Sequence, residues 1–297
     1  MKSMKNTKIM MIGKKMKNMM NLNPQKHNDI EVLQLPGMSR YCNISHFITT
    51  RHGGVSKDAY ASLNMGLYSG DDEELIRRNY DLLSNYIGID KEKIIVPHQT
   101  HGTDVLAFDE RLLSLDEEVK QELLDGVDAL VTDVPGICVS VLTADCVPVL
   151  LYAPDKEVVA SVHAGWRGTV KGIVANTIYV MTEKYGVDAS NIVAAIGPSI
   201  SLQSFEVGDE VLAAFADSDL WTESEMKEIS IRNEITGKAH IDLWKANSLQ
   251  MLHYGVRAEN IEVSGICTYT DNQNFFSARR LGINSGRIMS GIFIKDR

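Results

Sequence analysis

From Glu31 onward, short apolar and β-branched runs alternate along the chain with amphipathic stretches of helical period. This alternation is typical of a mixed α/β domain rather than of a helical bundle or an all-β sandwich. No linker rich in Pro, Gly or Ser divides the chain. The pattern therefore predicts one α/β domain over residues 29–297.

The apolar runs predict strands, and the amphipathic stretches predict helices. The densest group of apolar strands, residues 125–197, carries polar residues where its strands end, and functional groups commonly lie at such ends. We expect the functional site there. The predicted strands are residues 44–49, 93–97, 105–108, 129–132, 137–142, 149–152, 158–163, 192–196 and 261–266, and the predicted helices are residues 73–87, 115–124, 169–185, 208–216 and 243–254.

Composition narrows the classes of partner. With 297 residues, 44% hydrophobic and 23% charged, the chain can bury a full core. A net charge of -9 would repel nucleic acid and anionic membranes over most of the surface. We expect neither partner, and we expect any phosphate to be bound by a local cationic pocket.

The first residues and the cysteines indicate a cytoplasmic protein. The first twenty residues hold seven methionines and six lysines without a continuous apolar run, so they match neither a signal peptide nor a membrane span. Residues 1–28 are predicted to be a disordered leader, the alternative being a weak membrane-surface helix. Cys42, Cys138, Cys146 and Cys267 are scattered, which indicates reduced thiols.

Three predicted strand ends carry a side chain that can bind a metal. His101 lies in PHQTHG (97–102), Cys146 in ADCVP (144–148) and His163 in HAGWRG (163–168). Two imidazoles and one thiolate suit zinc and leave a fourth position for water or substrate, as in a catalytic site. The spacing matches no compact zinc motif, and two alternatives stay open. Cys146 can be a nucleophile with His163 as its base and no metal, or all three residues can be structural.

Other polar residues are candidates for substrate binding. Arg167 lies where a strand leads into a helix, a place where backbone amides and a guanidinium can hold an anion. Arg51 and Asn64 lie in a long glycine-containing loop, as an anion clamp and a hydrogen-bonding group for a ribose or base. The structural alternative is that these residues only brace turns. His98 is expected to support the site, and the arginines near the C-terminus to be solvated or ion-paired.

These segments together resemble the YfiH-like family of purine nucleoside phosphorylases, also described as laccase-like polyphenol oxidases. The resemblance extends from about Arg40 to the C-terminus. Two departures are His52 and Ala278, the latter standing where a tyrosine is often found. The motifs that carry the resemblance are TR (50–51), GGVS (53–56), SLN (62–64), HQTHG (98–102), DGVDA (125–129), TADCVP (143–148), HAGWRG (163–168), GPSI (197–200) and FFSARR (275–280).

The resemblance implies a fold and a metal site. The fold is a single four-layer α/β domain with a central mixed β sandwich flanked by helices. The metal is zinc, held by His101, Cys146 and His163, with copper as the alternative that the polyphenol oxidase description suggests.

The resemblance also implies the chemistry. It predicts phosphorolysis of adenosine, inosine and methylthioadenosine with inorganic phosphate, together with adenosine deamination, by a monomer or homodimer. Asp145 becomes the candidate for proton transfer or for orienting Cys146, and Arg51 with Arg167 the candidates for holding phosphate. A metal-free cysteine hydrolase, a copper-dependent polyphenol oxidase and a non-catalytic binding protein are the alternatives.

Overall fold

The computed structural model describes residues 30–296, so the predicted leader lies outside the described residues. Two sheets pack face to face at its centre. The strands are β1 Val32–Leu33, β2 Ile44–Thr49, β3 Ile94–Ile95, β4 Asp104–Ala107, β5 Val127–Thr132, β6 Cys138–Thr143, β7 Val147–Ala153, β8 Val158–Ala164, β9 Val193–Ile196, β10 Glu206–Val207, β11 Ser230–Arg232, β12 Ala239–Ile241, β13 Ile261–Val263 and β14 Ile288–Ile294.

The strands form three sheets. The five-stranded sheet has the order β1-β2-β14-β6-β3, and the six-stranded sheet has the order β13-β9-β7-β8-β5-β4. A small third sheet has the order β10-β12-β11. Both large sheets are mixed, because β3 runs parallel to β6 and β4 parallel to β5, whereas β14 and β7 pair antiparallel with both of their neighbours.

Helices cover the outer faces of the two large sheets. The α-helices are α1 Pro36–Ser39, α2 Glu73–Ile87, α3 Glu117–Leu124, α4 Trp166–Val170, α5 Ile173–Tyr185, α6 Asp209–Ala216, α7 Glu223–Ile229, α8 Leu243–His253 and α9 Ala278–Leu281. Within residues 30–296, no helix has both the length and the apolar character that a membrane crossing requires.

Three apolar clusters separate four layers. Between the two sheets, residues such as Val139 and Ile292 meet Leu130 and Leu150. On the outer side of the six-stranded sheet, residues of β5, β7 and β8 pack against α5 and α8. On the outer side of the five-stranded sheet, residues of β2 and β14 pack against α2. The predicted four-layer α/β fold with a central mixed sandwich is therefore confirmed.

Helix α2 has the bounds that the sequence predicts, because both of its ends carry capping signals. The Asp72 carboxylate accepts from the backbone amides of Glu74 and Leu75, and Gly88 ends the helix with φ 72°. The helix buries Ile76 and Leu83 against the sheet, and this apolar face explains why its periodicity was readable.

The sequence prediction missed the short elements β1, β10, β11, β12, α1, α7 and α9. Two further differences have a clear physical reason. The predicted helix 169–185 is two helices, α4 and α5, because Gly172 between them takes φ 82°. Strand β14 was not predicted, although all seven of its residues are buried. Its Gly291 interrupts the apolar run, and a Cβ at this position would lie 2.6 Å from the Phe47 ring. The glycine thus makes room for an aromatic side chain of β2.

Candidate metal centre and active site

The three predicted metal ligands converge at one end of the sandwich. His101 and Cys146 lie in segments that cross from one large sheet to the other, between β3 and β4 and between β6 and β7. His163 is the penultimate residue of β8. Their ligand atoms all lie within 4.8 Å of one another, and Cys146 Sγ is 3.7 Å from His101 Nε2. His163 is buried, whereas His101 is exposed, so the centre opens to solvent on one side.

The Asp128 carboxylate positions both histidines of this centre through hydrogen bonds. It is fully buried in β5, and its Oδ1 lies 2.6 Å from His163 Nδ1. The same carboxylate accepts from three consecutive backbone amides, those of Thr100, His101 and Gly102. These bonds hold His101 at φ 64°, a conformation that costs a non-glycine residue free energy. Because Asp128 binds Nδ1, His163 presents Nε2 to the centre.

The charges of the centre stabilise one another. Burial alone would raise the pKa of the Cys146 thiol, but the positive charge of His163 and hydrogen bonds from both imidazoles outweigh it and lower the pKa to about 6. Burial would lower the pKa of His163, but the Cys146 thiolate and Asp128 raise it to about 9. The lowered pKa favours the thiolate form of Cys146, which both a metal ligand and a nucleophile require.

Gly165 leaves room for the ligands. A Cβ at this position would lie 2.7 Å from His101 Cδ2 and 3.1 Å from Cys146 Sγ. Its φ of -66° is open to any residue, so space rather than backbone conformation excludes a side chain here.

Asp145 links the Cys146 turn to two other loops. Its carboxylate accepts from the Thr268 hydroxyl at 2.6 Å and from the Arg279 backbone amide at 2.7 Å, and its carbonyl accepts from the Ile200 amide. The residue takes φ 92°, so these contacts hold a strained turn in place. This is consistent with a role in orienting Cys146, and proton transfer by Asp145 stays a prediction.

Asn64 is fully buried, and its side chain is engaged within the protein. Its Nδ2 donates to Ser69 Oγ and Asp71 Oδ2, and its Oδ1 accepts from the backbone amides of Gly66 and Arg287. The contact of Asn64 with a ribose or base stays a prediction. In the structure, Asn64 connects its own loop to Arg287, the residue before β14.

The two predicted phosphate-binding arginines differ in exposure. Arg51 is partly buried, donates to the carbonyls of Ala61 and Asn272 and lies 4.6 Å over the Phe276 ring. Burial lowers the pKa of Arg51. Arg167 is exposed and lies 4.3 Å over the Trp166 ring at the start of α4. Phosphate binding by either arginine stays a prediction.

Sequence reasoning assigned no role to Asp128, and it predicted a supporting role for His98 without naming its partners Asp125 and Tyr68. His98 Nδ1 lies 2.5 Å from Asp125 Oδ1, and the largely exposed Tyr68 ring lies 4.3 Å from the His98 ring. This cluster lies three residues before His101. For Asp128 the sequence did hold a signal, since a carboxylate inside the apolar strand VDALVT must find buried partners.

Comparisons with known proteins agree on the family. Residues 45–295 match the family model described as multi-copper polyphenol oxidoreductase laccase. The chain is 50% identical over 266 residues to a Bacteroides thetaiotaomicron protein named purine nucleoside phosphorylase, covering 90% of this chain and 97% of that one. It is 41% identical to adenosine deaminase RL5 from an unknown prokaryotic organism, over 90% of this chain and 100% of the relative.

Solved structures agree with the sequence relatives. YlmD from Geobacillus stearothermophilus superposes with a TM-score of 0.80 at 31% identity, covering 92% of this chain and 98% of that one. Bacillus licheniformis YfiH, described as a hypothetical protein, gives 0.82 at 27% identity, covering 94% and 100%. The sequence matches, the shared fold and the motifs around His101, Cys146 and His163 lead to one conclusion: the chain belongs to the YfiH-like family of laccase-like proteins, and the resemblance inferred from its motifs is confirmed.

Proposed function

We propose that this protein is a zinc-dependent purine nucleoside phosphorylase that acts on adenosine, inosine and methylthioadenosine and also deaminates adenosine. The observation that carries the proposal is the convergence of His101, Cys146 and His163, with Asp128 orienting His163. The names of the relatives support action on purine nucleosides, since they include purine nucleoside phosphorylases and an adenosine deaminase.

The residues present fit a zinc ion. Two imidazoles and a thiolate are borderline and soft ligands, and their ligand atoms lie close enough to share one ion. The lowered pKa of the Cys146 thiol favours the deprotonated ligand. Three protein ligands leave a coordination position for substrate or water, which is the arrangement of a catalytic rather than a structural zinc site.

The same residues argue against a multi-copper oxidase. Within residues 30–296, one group of His, Cys and acidic side chains has the geometry to hold a metal ion. An oxidase with several copper ions needs further histidine-rich sites to carry electrons between them. A zinc ion, which has no redox chemistry, matches nucleoside chemistry better because phosphorolysis and deamination transfer no electrons to the protein.

Each reaction makes its own demand on the residues of the chain. In phosphorolysis a phosphate oxygen bonds to the anomeric carbon while the bond to the purine nitrogen breaks, and the purine leaves with that electron pair and takes a proton. In deamination water replaces the purine amine, which leaves as ammonia. Zinc bound at this centre would supply Lewis acidity to both reactions.

The chain's own groups supply binding and orientation. Asp128 keeps the His163 proton on Nδ1, and Asp145 fixes the turn that carries Cys146. Arg167 lies at the start of α4, two residues after the Gly165 that borders the ligands, which supports its role as a candidate for binding the incoming phosphate. Arg51 and Asn64 hold the loop of residues 50–70, and Asn64 Oδ1 also accepts from the Arg287 backbone amide.

A metal-free cysteine hydrolase is the second candidate, because Cys146, His163 and Asp128 have the order of a nucleophile, a base and an orienting acid. The position of His101 favours the metal. Its Nε2 lies 3.7 Å from the same sulfur, and a nucleophile needs one imidazole, whereas a three-ligand metal site needs both.

Metal removal and reconstitution separate these functions. The chelated protein is incubated with adenosine and inorganic phosphate, alone and after addition of Zn²⁺ or Cu²⁺, and products are separated by chromatography. We expect no product without metal, and adenine, ribose 1-phosphate and inosine after Zn²⁺. Hydrolytic activity in the chelated protein, without ribose 1-phosphate, abolished by thiol alkylation and not restored by Zn²⁺, would establish the hydrolase instead. Oxidation of a phenol restored by Cu²⁺ alone would establish the oxidase.

A further inference from the structure

Arg287 lies beside the turn that carries Cys146, although it is far from it in the sequence. Ile288, the first residue of β14, pairs with Thr143, the last residue of β6. Continuing this antiparallel register by one residue sets Arg287 opposite Ala144, two residues before Cys146. Sheet pairing therefore places the backbone of Arg287 next to the segment that leads into Cys146.

The guanidinium of Arg287 is oriented by groups that carry no charge. Its Nη1 donates to the carbonyls of Ser285 and Gly286, and its Nη2 donates to the carbonyl of Ile283. These three bonds use three of the five N–H donors of an arginine. Within residues 30–296, the other two donors meet no acceptor, and no carboxylate forms an ion pair with the group.

The backbone of Arg287 is held as well. Its amide donates to Asn64 Oδ1 at 2.8 Å, and its carbonyl accepts from the Met65 amide at 3.1 Å. A Cβ on Gly66 would lie 2.8 Å from Arg287 Cγ, so the glycine allows the side chain to pass. The buried Asn64 thus fixes the position from which this guanidinium extends.

The other arginines near the site have different surroundings. Arg279 donates to the Glu206 carbonyl and lies over Phe205, and Arg280 donates to the Tyr269 carbonyl and lies over the Tyr269 ring. Burial lowers the pKa of Arg287, but the negative charges of Cys146 and Asp145 oppose this effect. For Arg51 burial is the cause, without any contribution from Cys146. The charge of Arg287 therefore acts on Cys146 and Asp145, which the sheet register also brings close to it.

We propose that Arg287 binds the inorganic phosphate used in phosphorolysis, with its two free N–H donors directed to the phosphate oxygens beside His101, Cys146 and His163. A partly buried guanidinium with free donors and no carboxylate partner is suited to a tetrahedral oxyanion. This inference rests on the proposed function and extends it. It also gives Asn64 a role as a positioning residue, because Asn64 acts on phosphate through Arg287.

The test compares Arg287→Gln, Arg287→Lys and the control Arg280→Gln as zinc-loaded proteins. Phosphate binding is measured by calorimetry, and phosphorolysis and deamination of adenosine are measured separately. For Arg287→Gln we expect a loss of about 10- to 100-fold in phosphate affinity and a similar rise in the phosphate KM. Phosphorolysis should fall more than deamination, which uses no phosphate. Arg287→Lys should recover part of the loss, and Arg280→Gln should behave like the wild type.

An unchanged phosphate KM and affinity in Arg287→Gln would overturn the inference. Equal losses of phosphorolysis and deamination in both Arg287 variants would also overturn it, since they would indicate a structural role. Calorimetry separates this result from the fate of the proposed function. If the wild type makes no ribose 1-phosphate yet binds phosphate through Arg287, the anion site stands and the phosphorylase does not. If the wild type binds no phosphate, the anion site falls.

Discussion

The metal centre and the loop of residues 50–70 differ in where their polar atoms are directed. The buried Asn79 of helix α2 donates to Ser56, Ser62 and Asn64 and accepts from the Val55 amide, so polar groups of this loop find their partners inside the protein. In the centre, the ligand atoms of three side chains point at one another. Polar groups that hydrogen-bond to each other stabilise a fold. Polar side chains whose ligand atoms converge on one position indicate a binding site for a ligand.

Two buried histidines show the same difference. His163 has Asp128 on one nitrogen and the centre on the other, and its pKa is raised to about 9. His46 is equally buried, but its Nε2 accepts from the Leu35 backbone amide, and burial lowers its pKa to about 4. The surroundings of His163 stabilise its protonated form, whereas the surroundings of His46 stabilise its neutral form.

The largest effect is expected from Cys146→Ala. Removing one of three ligands should abolish metal retention and lower turnover by more than about 100-fold, since even residues behind metal ligands affect affinity by up to that factor. Metal analysis and product chromatography measure both effects. The exposed Cys42→Ala is the matched control and should keep both properties. A Cys146→Ala protein that lacks metal yet retains full phosphorolysis would remove the metal from the mechanism.

The neutral state of His46 should appear in the pH dependence of stability. Its folded pKa of about 4 lies below the unfolded value of 6.5, so the unfolded state takes up the proton first as pH falls. Stability is complete above about 6.5 and is lost towards pH 4, by about 3 kcal/mol. We expect the free energy of unfolding in urea to fall by that much more for the wild type than for His46→Gln. Parallel pH curves would contradict this account of His46.

Asp128→Asn should weaken the centre without removing a ligand. The variant loses the negative charge that orients His163 and accepts hydrogen bonds from the amides of residues 100–102. Metal affinity should therefore fall by about 10- to 100-fold. Competition with a chromophoric chelator measures this change. Asp125→Asn, which alters the exposed carboxylate next to His98, is the control. Equal metal affinities for wild type and Asp128→Asn would mean that Asp128 serves the backbone alone.

The smallest effect, and one confined to stability, is expected from Asn79→Ala. The substitution leaves buried groups of the loop without partners, which should cost about 2 kcal/mol in the free energy of unfolding. Metal content per folded chain should be unchanged. Denaturant unfolding and metal analysis on the same samples measure both quantities. Loss of metal at unchanged stability would contradict the separate roles of the loop and the centre.

The three candidate metal ligands could be proposed from the sequence because each lies at a predicted strand end, and the family resemblance joined them into one site. Helix α2 was equally readable, since Asp72, Gly88 and a periodic apolar face are local features. These signals need no knowledge of what the chain meets elsewhere.

The missed residues depend on pairing between distant segments. Asp128 accepts from amides of residues 100–102, and the pairing of β14 with β6 places Arg287 beside the segment that leads into Cys146. Strand β14 was not predicted because Gly291 interrupts its apolar run. A glycine is needed there because the Phe47 ring of β2 occupies the space of a side chain. Local patterns thus identify which residue types can carry chemistry, and sheet register decides which of them meet.

The most direct test of the account is metal content paired with product analysis for the wild type and His101→Ala. The purified proteins are analysed for bound metal and incubated with adenosine and phosphate, and inosine, free base and ribose 1-phosphate are separated by chromatography. The account predicts about one zinc per chain in the wild type and the loss of metal and of all three products in His101→Ala. Unchanged product formation by a metal-free His101→Ala protein would contradict it.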